Sequence, residues 1–234
     1  MTDYSRIIYN AIRRELSELV AKLVKDGVPY GEVDKQVNDF LKKSGLDKKL
    51  WQKMKKRFDK SKKTTSEYYK KKIAWVDDKT LDLGTSKEMA KMYLRTNHQF
   101  AFLQGEFKKE IVREVYRGIK NGDKVKTIQD RVAKRVSVNS SKARAIVNTA
   151  VAGYDNTINK DMAKAVGVNK FKYSGATAER DFCRDRLGGV FTISELKAMN
   201  NGQGLPVETY LGGYNCRHFL APVIDSEVLK GVTT

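Results

Sequence analysis

The chain has 234 residues, 40% of them hydrophobic and 9% aromatic, which is the composition of a protein with a core and not of a disordered tail. Its 46 Lys+Arg against 28 Asp+Glu leave a net charge of +18, an excess that a polyanion such as nucleic acid would neutralise. Two cysteines do not make a secreted disulfide scaffold, and no apolar run approaches the ~18 residues of a membrane span, so a soluble protein with no membrane partner is expected.

The first 167 residues read as helix after helix. Asp3 can cap a helix with Ile8, Ile12, Leu16, Leu19 and Leu23 on one face, ending at Gly27 with Pro29 beyond. Val33, Val37, Phe40 and Leu41 mark a second, stopped by Gly45. A third starts at Asp47, with Leu50, Met54 and Phe58 inward. Its other side carries Lys49, Lys53, Lys56, Arg57, Lys60 and Lys63 at helical spacing, and Lys70, Lys71 and Lys72 follow beside Tyr68, Tyr69 and Trp75.

A turn is expected at Leu83-Gly84, and Thr85-x-x-Glu88 has the form of a capping box. It would open a helix of about 30 residues with Phe100, Leu103, Phe107 and Ile111 on one stripe. Asn121-Gly122 breaks it. Asp123 can cap the next helix (Val125, Ile128, Val132), and Asn139 a further long one (Ile146, Ala150, Gly153, Thr157, Ile158) that closes at Gly167.

Character then changes. Phe171-Lys172-Tyr173 alternates like a strand, Arg180 to Arg186 can form a helical turn, and Gly188-Gly189-Val190-Phe191 returns to strand. Thr192 can cap a short helix through Met199, residues 200–206 are loop, and Cys216 to Val223 reads as extended. The fold class is mainly α with a small C-terminal α+β module and an extended helical N-terminal part. A basic α-helical domain (1–123) would precede an α+β domain (124–234). Residues 1–136 carry 34 Lys+Arg and 19 Asp+Glu, net +15, and 137–234 carry 12 and 9, net +3. One half thus suits an anionic partner and the other a different task.

Cations on one face of an amphipathic helix release counterions when they neutralise phosphates, so binding would depend steeply on salt. Nine residues are the candidate contacts: Lys49, Lys53, Lys56, Arg57, Lys60, Lys63, Lys70, Lys71 and Lys72. The same pattern fits an ordinary solvated face. No helix-turn-helix, zinc-finger or RNA-binding signature is present, so contact with double-stranded DNA would be non-specific.

Cys183, Cys216 and His218 invite a metal reading, but structural zinc takes four ligands in paired short spacings and the fourth has no candidate. Two buried thiols side by side are expected, with a disulfide as the alternative in an oxidising medium. Cys183 with His218 as base is the pairing of a hydrolase or transferase. Glu179, Asp181 and Asp185 allow a nuclease-like site, although acids among Arg180, Arg184 and Arg186 are more simply surface ion pairs. No catalytic residue, cofactor or metal is expected.

The run Arg144-Ala-Ile-Val-Asn-Thr149, Asn156, Ala163 to Val168 and Phe171-x-Tyr173 resembles the C-terminal domain of phage Mu F-type minor head proteins. The likeness continues through Arg180-Asp-Phe-Cys183, Gly188-Gly-Val-Phe191 and Gly212-Gly-Tyr-Asn-Cys-Arg-His218 to Ala221-Pro-Val223, and so covers about residues 124–224. Its motif residues here are Arg144, Cys183, Gly213, Asn215, Cys216, Arg217 and His218. The commoner family form has a second Cys where this chain has Arg186, and His-Pro before Cys-Arg-Cys where this chain has Tyr214-Asn215 before Cys216-Arg217-His218. A site built from that form's four ligands is therefore incomplete here.

The resemblance implies a low-copy structural protein of a tailed bacteriophage head, in the virion interior near the portal after assembly in the host cytoplasm. The portal protein, major capsid or scaffold protein and packaged DNA would be its partners. An enzyme working through Cys183 and His218 on nucleic acid or protein is the alternative, and a host nucleoid or RNA-binding protein a third.

Overall fold

Apolar residues at three- and four-residue steps build three helices in succession, α1 (Tyr4–Asp26), α2 (Tyr30–Ser44) and α3 (Leu46–Lys72). The computed structural model describes residues 4–82 and 87–231, without the side chains of 4–9, 11 and 47. The expected cap at Asp3, the turn at Leu83-Gly84, the Thr85 end of the capping box and the side chains of Ile8 and Asp47 lie outside the described residues. Gly45 ends α2 in the left-handed region (φ 59°), its N–H bonded to the Lys42 carbonyl.

Two long helices follow, α4 (Lys87–Lys120) and α5 (Val125–Ala165), joined through the turn at Asn121-Gly122. Here one expectation is corrected: α5 is a single helix of 41 residues, where two were expected with Asn139 capping the second. Asn139 is fully buried inside it. Its amide donates to the Arg135 carbonyl (3.1 Å) and to the Glu110 carboxylate (3.2 Å). The Ser-Val-Asn-Ser-Ser run around it has low helix propensity but no Gly or Pro, so nothing breaks the ladder once the amide has partners. Asp123 pairs with Arg131 at 2.5 Å.

The chain forms two compact units, and each draws on separated stretches of sequence. The first comprises Met1–Lys53 and Asn97–Val147. Its core is aliphatic and aromatic: Leu16, Val20, Leu23, Val33, Val37, Leu50, Phe107, Ile111 and Ile128 are buried. The expected boundary at 123/124 falls in the connection between α4 and α5, inside this unit.

The second unit comprises Met54–Thr96 and Asn148–Thr234. Here Phe58 stacks on Tyr154 at 4.2 Å. Its sheet is antiparallel with strand order β2-β1-β3, from β1 (Lys170–Ser174), β2 (Val190–Thr192) and β3 (Phe219–Pro222). Alternation puts Phe171 and Tyr173 of β1 into the core. Short helices fill the connections: α6 (Asp181–Arg184), α7 (Ile193–Ala198), α8 (Val207–Tyr210) and α9 (Ser226–Leu229). Thr192 closes a full capping box with Glu195. The architecture is thus mainly α with a small α+β module near the C-terminus.

Two asparagines of α5 fasten the sheet. Asn156 donates to the Thr209 carbonyl (3.1 Å) and accepts from the Leu220 N–H (3.2 Å). Asn159 donates to the Leu220 carbonyl (2.6 Å) and accepts from the Tyr69 hydroxyl (2.9 Å). Each amide is used in both senses, which fixes its orientation. Among the described residues no helix is long and apolar enough to cross a membrane.

Candidate functional site

The cationic face of α3 forms because Leu46, Leu50, Met54 and Phe58 are buried along the opposite side. Lys49 and Lys53, in the first unit, and Lys56, Lys60 and Lys63, in the second, are exposed. Lys63 makes only a long contact to Glu67 (3.9 Å) between exposed groups, which contributes little. Lys71 and Lys72 are exposed too.

Two expected contacts have other work. Arg57 is half-buried, its charge acts on the half-buried Asp155 carboxylate, and its Nε has no hydrogen-bond partner among the described residues. Lys70 is paired with Asp78 at 2.7 Å. The aromatic residues divide as well. Tyr69 is fully buried, with its hydroxyl on Asn159, and the Trp75 indole N–H donates to the Val228 carbonyl at 2.8 Å. Tyr68 keeps an exposed ring.

The first unit carries a cationic surface that the sequence reading did not single out. Lys109, Arg113, Arg117 and Lys120 are exposed at successive turns of α4 and line a shallow depression of about 660 Å³ with Tyr30 and Tyr116. The two rings meet edge to face at 5.2 Å. Glu106 and Glu110 also line it, and Glu106 pairs with Lys109 at 3.1 Å. The i, i+4, i+8 spacing of 109, 113 and 117 is the signal that marks this face in the sequence.

The second candidate lies where the motif strings converge. Cys183 on α6 and Cys216, just before β3, have their sulfurs 4.0 Å apart, and both are buried free thiols. His218 Nδ1 is 3.4 Å from the Cys216 sulfur, and Nε2 is 2.9 Å from the Ala176 carbonyl. The Tyr173 hydroxyl donates to Cys183 at 3.3 Å. Burial raises both the Tyr173 hydroxyl and the Cys183 thiol above their ordinary values. A nucleophilic cysteine needs an accessible thiolate. The His218 ring nitrogen nearest the thiols lies against the Cys216 sulfur.

The loop that carries Cys216 is held from several sides. Arg180 donates to the carbonyls of Gly212 (2.8 Å) and Tyr214 (2.7 Å). Gly213 (φ 92°) and Asn215 (φ 56°) take left-handed conformations that Gly and Asn tolerate. The Cys216 N–H closes the turn on the Gly213 carbonyl at 3.1 Å, and the Asn215 N–H donates to Thr149 at 3.0 Å. A Cβ on Gly212 would collide with the Cys183 sulfur.

The motif residues other than Arg144 therefore lie in or against this turn. Arg217 is exposed, and Arg144 is exposed on α5 within the first unit. Tyr173, Arg180 and Gly212 belong to the cluster although they were not candidates. Their signal was the strand alternation at 171–173 and the paired glycines before the cysteine. No protein-family model, curated protein or solved structure matches the chain.

Proposed function

We propose that this chain is a minor head protein of a tailed bacteriophage, acting in head morphogenesis at the portal and touching packaged DNA without reading its sequence. The observation that carries the DNA part is the run of exposed lysines at 49, 53, 56, 60 and 63 along α3, anchored by the buried residues behind it. A protein inside a shell packed with DNA needs a cationic face and no base readout. The head assignment rests on the short C-terminal motifs, whose residues Cys183, Gly213, Asn215, Cys216 and His218 meet at one turn. Portal and coat or scaffold protein are the partners proposed for the module.

Fluorescence anisotropy with unrelated duplexes tests the DNA part. Affinity is expected to fall by about two to four powers of ten between roughly 50 and 200 mM salt if about four to eight phosphates are neutralised. Replacing Lys49, Lys53, Lys56, Lys60 and Lys63 together by Glu should abolish binding with the circular dichroism spectrum unchanged. Affinities that differ widely between duplexes, or that ignore salt, would refute it.

A further inference from the structure

Cys183, Cys216 and His218 place their donor atoms within 4.8 Å of one another. A tetrahedral zinc ion, with Zn–S of about 2.3 Å and Zn–N of about 2.0–2.1 Å, sets S···S near about 3.8 Å and S···N near about 3.6 Å. The separations here are 4.0 Å between the sulfurs and 3.4 Å from Cys216 to His218 Nδ1. These two pairs stand within a few tenths of an ångström of those values, whereas Cys183 Sγ and the His218 ring nitrogen, within 4.8 Å of each other, would close by up to about an ångström on an ion.

The surroundings are arranged for the same task. The Ala176 carbonyl can only accept, so the proton of neutral His218 sits on Nε2, and Nδ1 turns its lone pair toward the Cys216 sulfur. A ligand histidine with its far nitrogen tied to a carbonyl is the usual support of a metal site. The Gly212 N–H donates to the Cys216 sulfur at 3.3 Å, which favours a thiolate there. Gly212 has no side chain to occupy the space beside Cys183. Tyr173 Oη lies 3.3 and 4.0 Å from the two sulfurs and is the polar side-chain atom next to both.

We infer that Cys183, Cys216 and His218 bind a thiophilic divalent cation of the zinc type, contrary to the expectation from ligand count alone. Two soft sulfurs and one imidazole select zinc over magnesium or calcium. On binding, each thiol gives up its proton to solvent and its sulfur lone pair to the ion. Two thiolates then balance the dication, and the buried site is neutral. Such an ion would tie α6 to the segment entering β3, stapling a small, glycine-rich module. The inference does not depend on the DNA or head reading.

The test uses the full chain, purified without chelator and in reductant. Elemental analysis is expected to find stoichiometric zinc. Cobalt(II) added to the chelated protein should give the intense visible bands of a tetrahedral site and a near-ultraviolet sulfur-to-cobalt transition. Loss of a supporting group near a metal costs about 10–100-fold in affinity, so His218→Asn should cost at least as much. Should that variant fail to fold, loss and return of the cobalt spectrum in the unaltered chain decides alone. Reduced chain that takes up neither zinc nor cobalt would overturn the inference, as would a Cys183–Cys216 disulfide in the native protein.

Discussion

Glu114 of α4 holds its buried carboxylate 3.0 Å from the Arg135 guanidinium of α5. Arg131 approaches the second oxygen at 3.4 Å and also pairs with Asp123. The two arginines keep about a third of their side-chain surface in water while Glu114 keeps 6%. Removing the acid therefore takes this partner from Arg135 and leaves Arg131 to Asp123, both cations still partly reached by solvent. Glu114→Gln is expected to cost about 1–3 kcal/mol in urea denaturation, and a loss below a few tenths would show that the network contributes only geometry.

Gly153 of α5 lies against the Tyr210 ring, where an added Cβ would approach to 2.6 Å. Ala in place of Gly favours a helix by about 1 kcal/mol, whereas overpacking a core costs about 1–3 kcal/mol. The steric term should win, so Gly153→Ala is expected to destabilise. In a Tyr210→Ala background the same change should become stabilising, because only the helix term remains. The two melting curves give the sign directly.

Lys160 is buried near Thr209, with its Nζ 3.3 Å from the hydroxyl. Desolvation lowers its pKa from 10.5, while Glu208, Asp161 and Glu88 act in the opposite direction. The folded state therefore releases this proton more readily than the unfolded chain. The charged amine weakens the fold at every pH below the folded value. That penalty fades as pH rises from the folded value toward 10.5. Lys160→Met should be more stable than the parent at neutral pH, with the difference shrinking at alkaline pH. A variant less stable at pH 7 would mean that the acids outweigh burial.

How much of this was legible in the sequence depends on which force set the feature. Helices with an apolar stripe were readable because burial of Val33, Val37, Phe100 and Phe107 follows period alone. The continuity of α5 through Asn139 was not, since it depends on Glu110 accepting the amide from another helix. Cys183 and Cys216 were expected to meet, and their thiols do. The geometry that makes Cys216 and His218 a ligand pair comes from left-handed Asn215 and the Ala176 carbonyl, neither of which has a pattern of its own. Buried Glu114 and Lys160 read as ordinary surface charges until their partners are in place.

Arg113 and Arg117 stand exposed beside Tyr30 and Tyr116. If the polyanion also touches this face, Arg113→Glu with Arg117→Glu should weaken duplex binding and reduce the slope of log affinity against log salt by about 2. An unchanged slope would confine the contact to α3.

The proposed place of the chain inside a phage head is tested on the whole chain, because a cut at 123/124 severs the first compact unit. Photo-crosslinkers placed singly at Lys56 and Lys60, and separately at Arg217, would be activated in purified DNA-filled heads. The α3 positions are expected to attach to DNA, and Arg217, exposed beside the motif turn, to portal or coat protein. Heads that contain no copy of the chain would contradict the assignment itself.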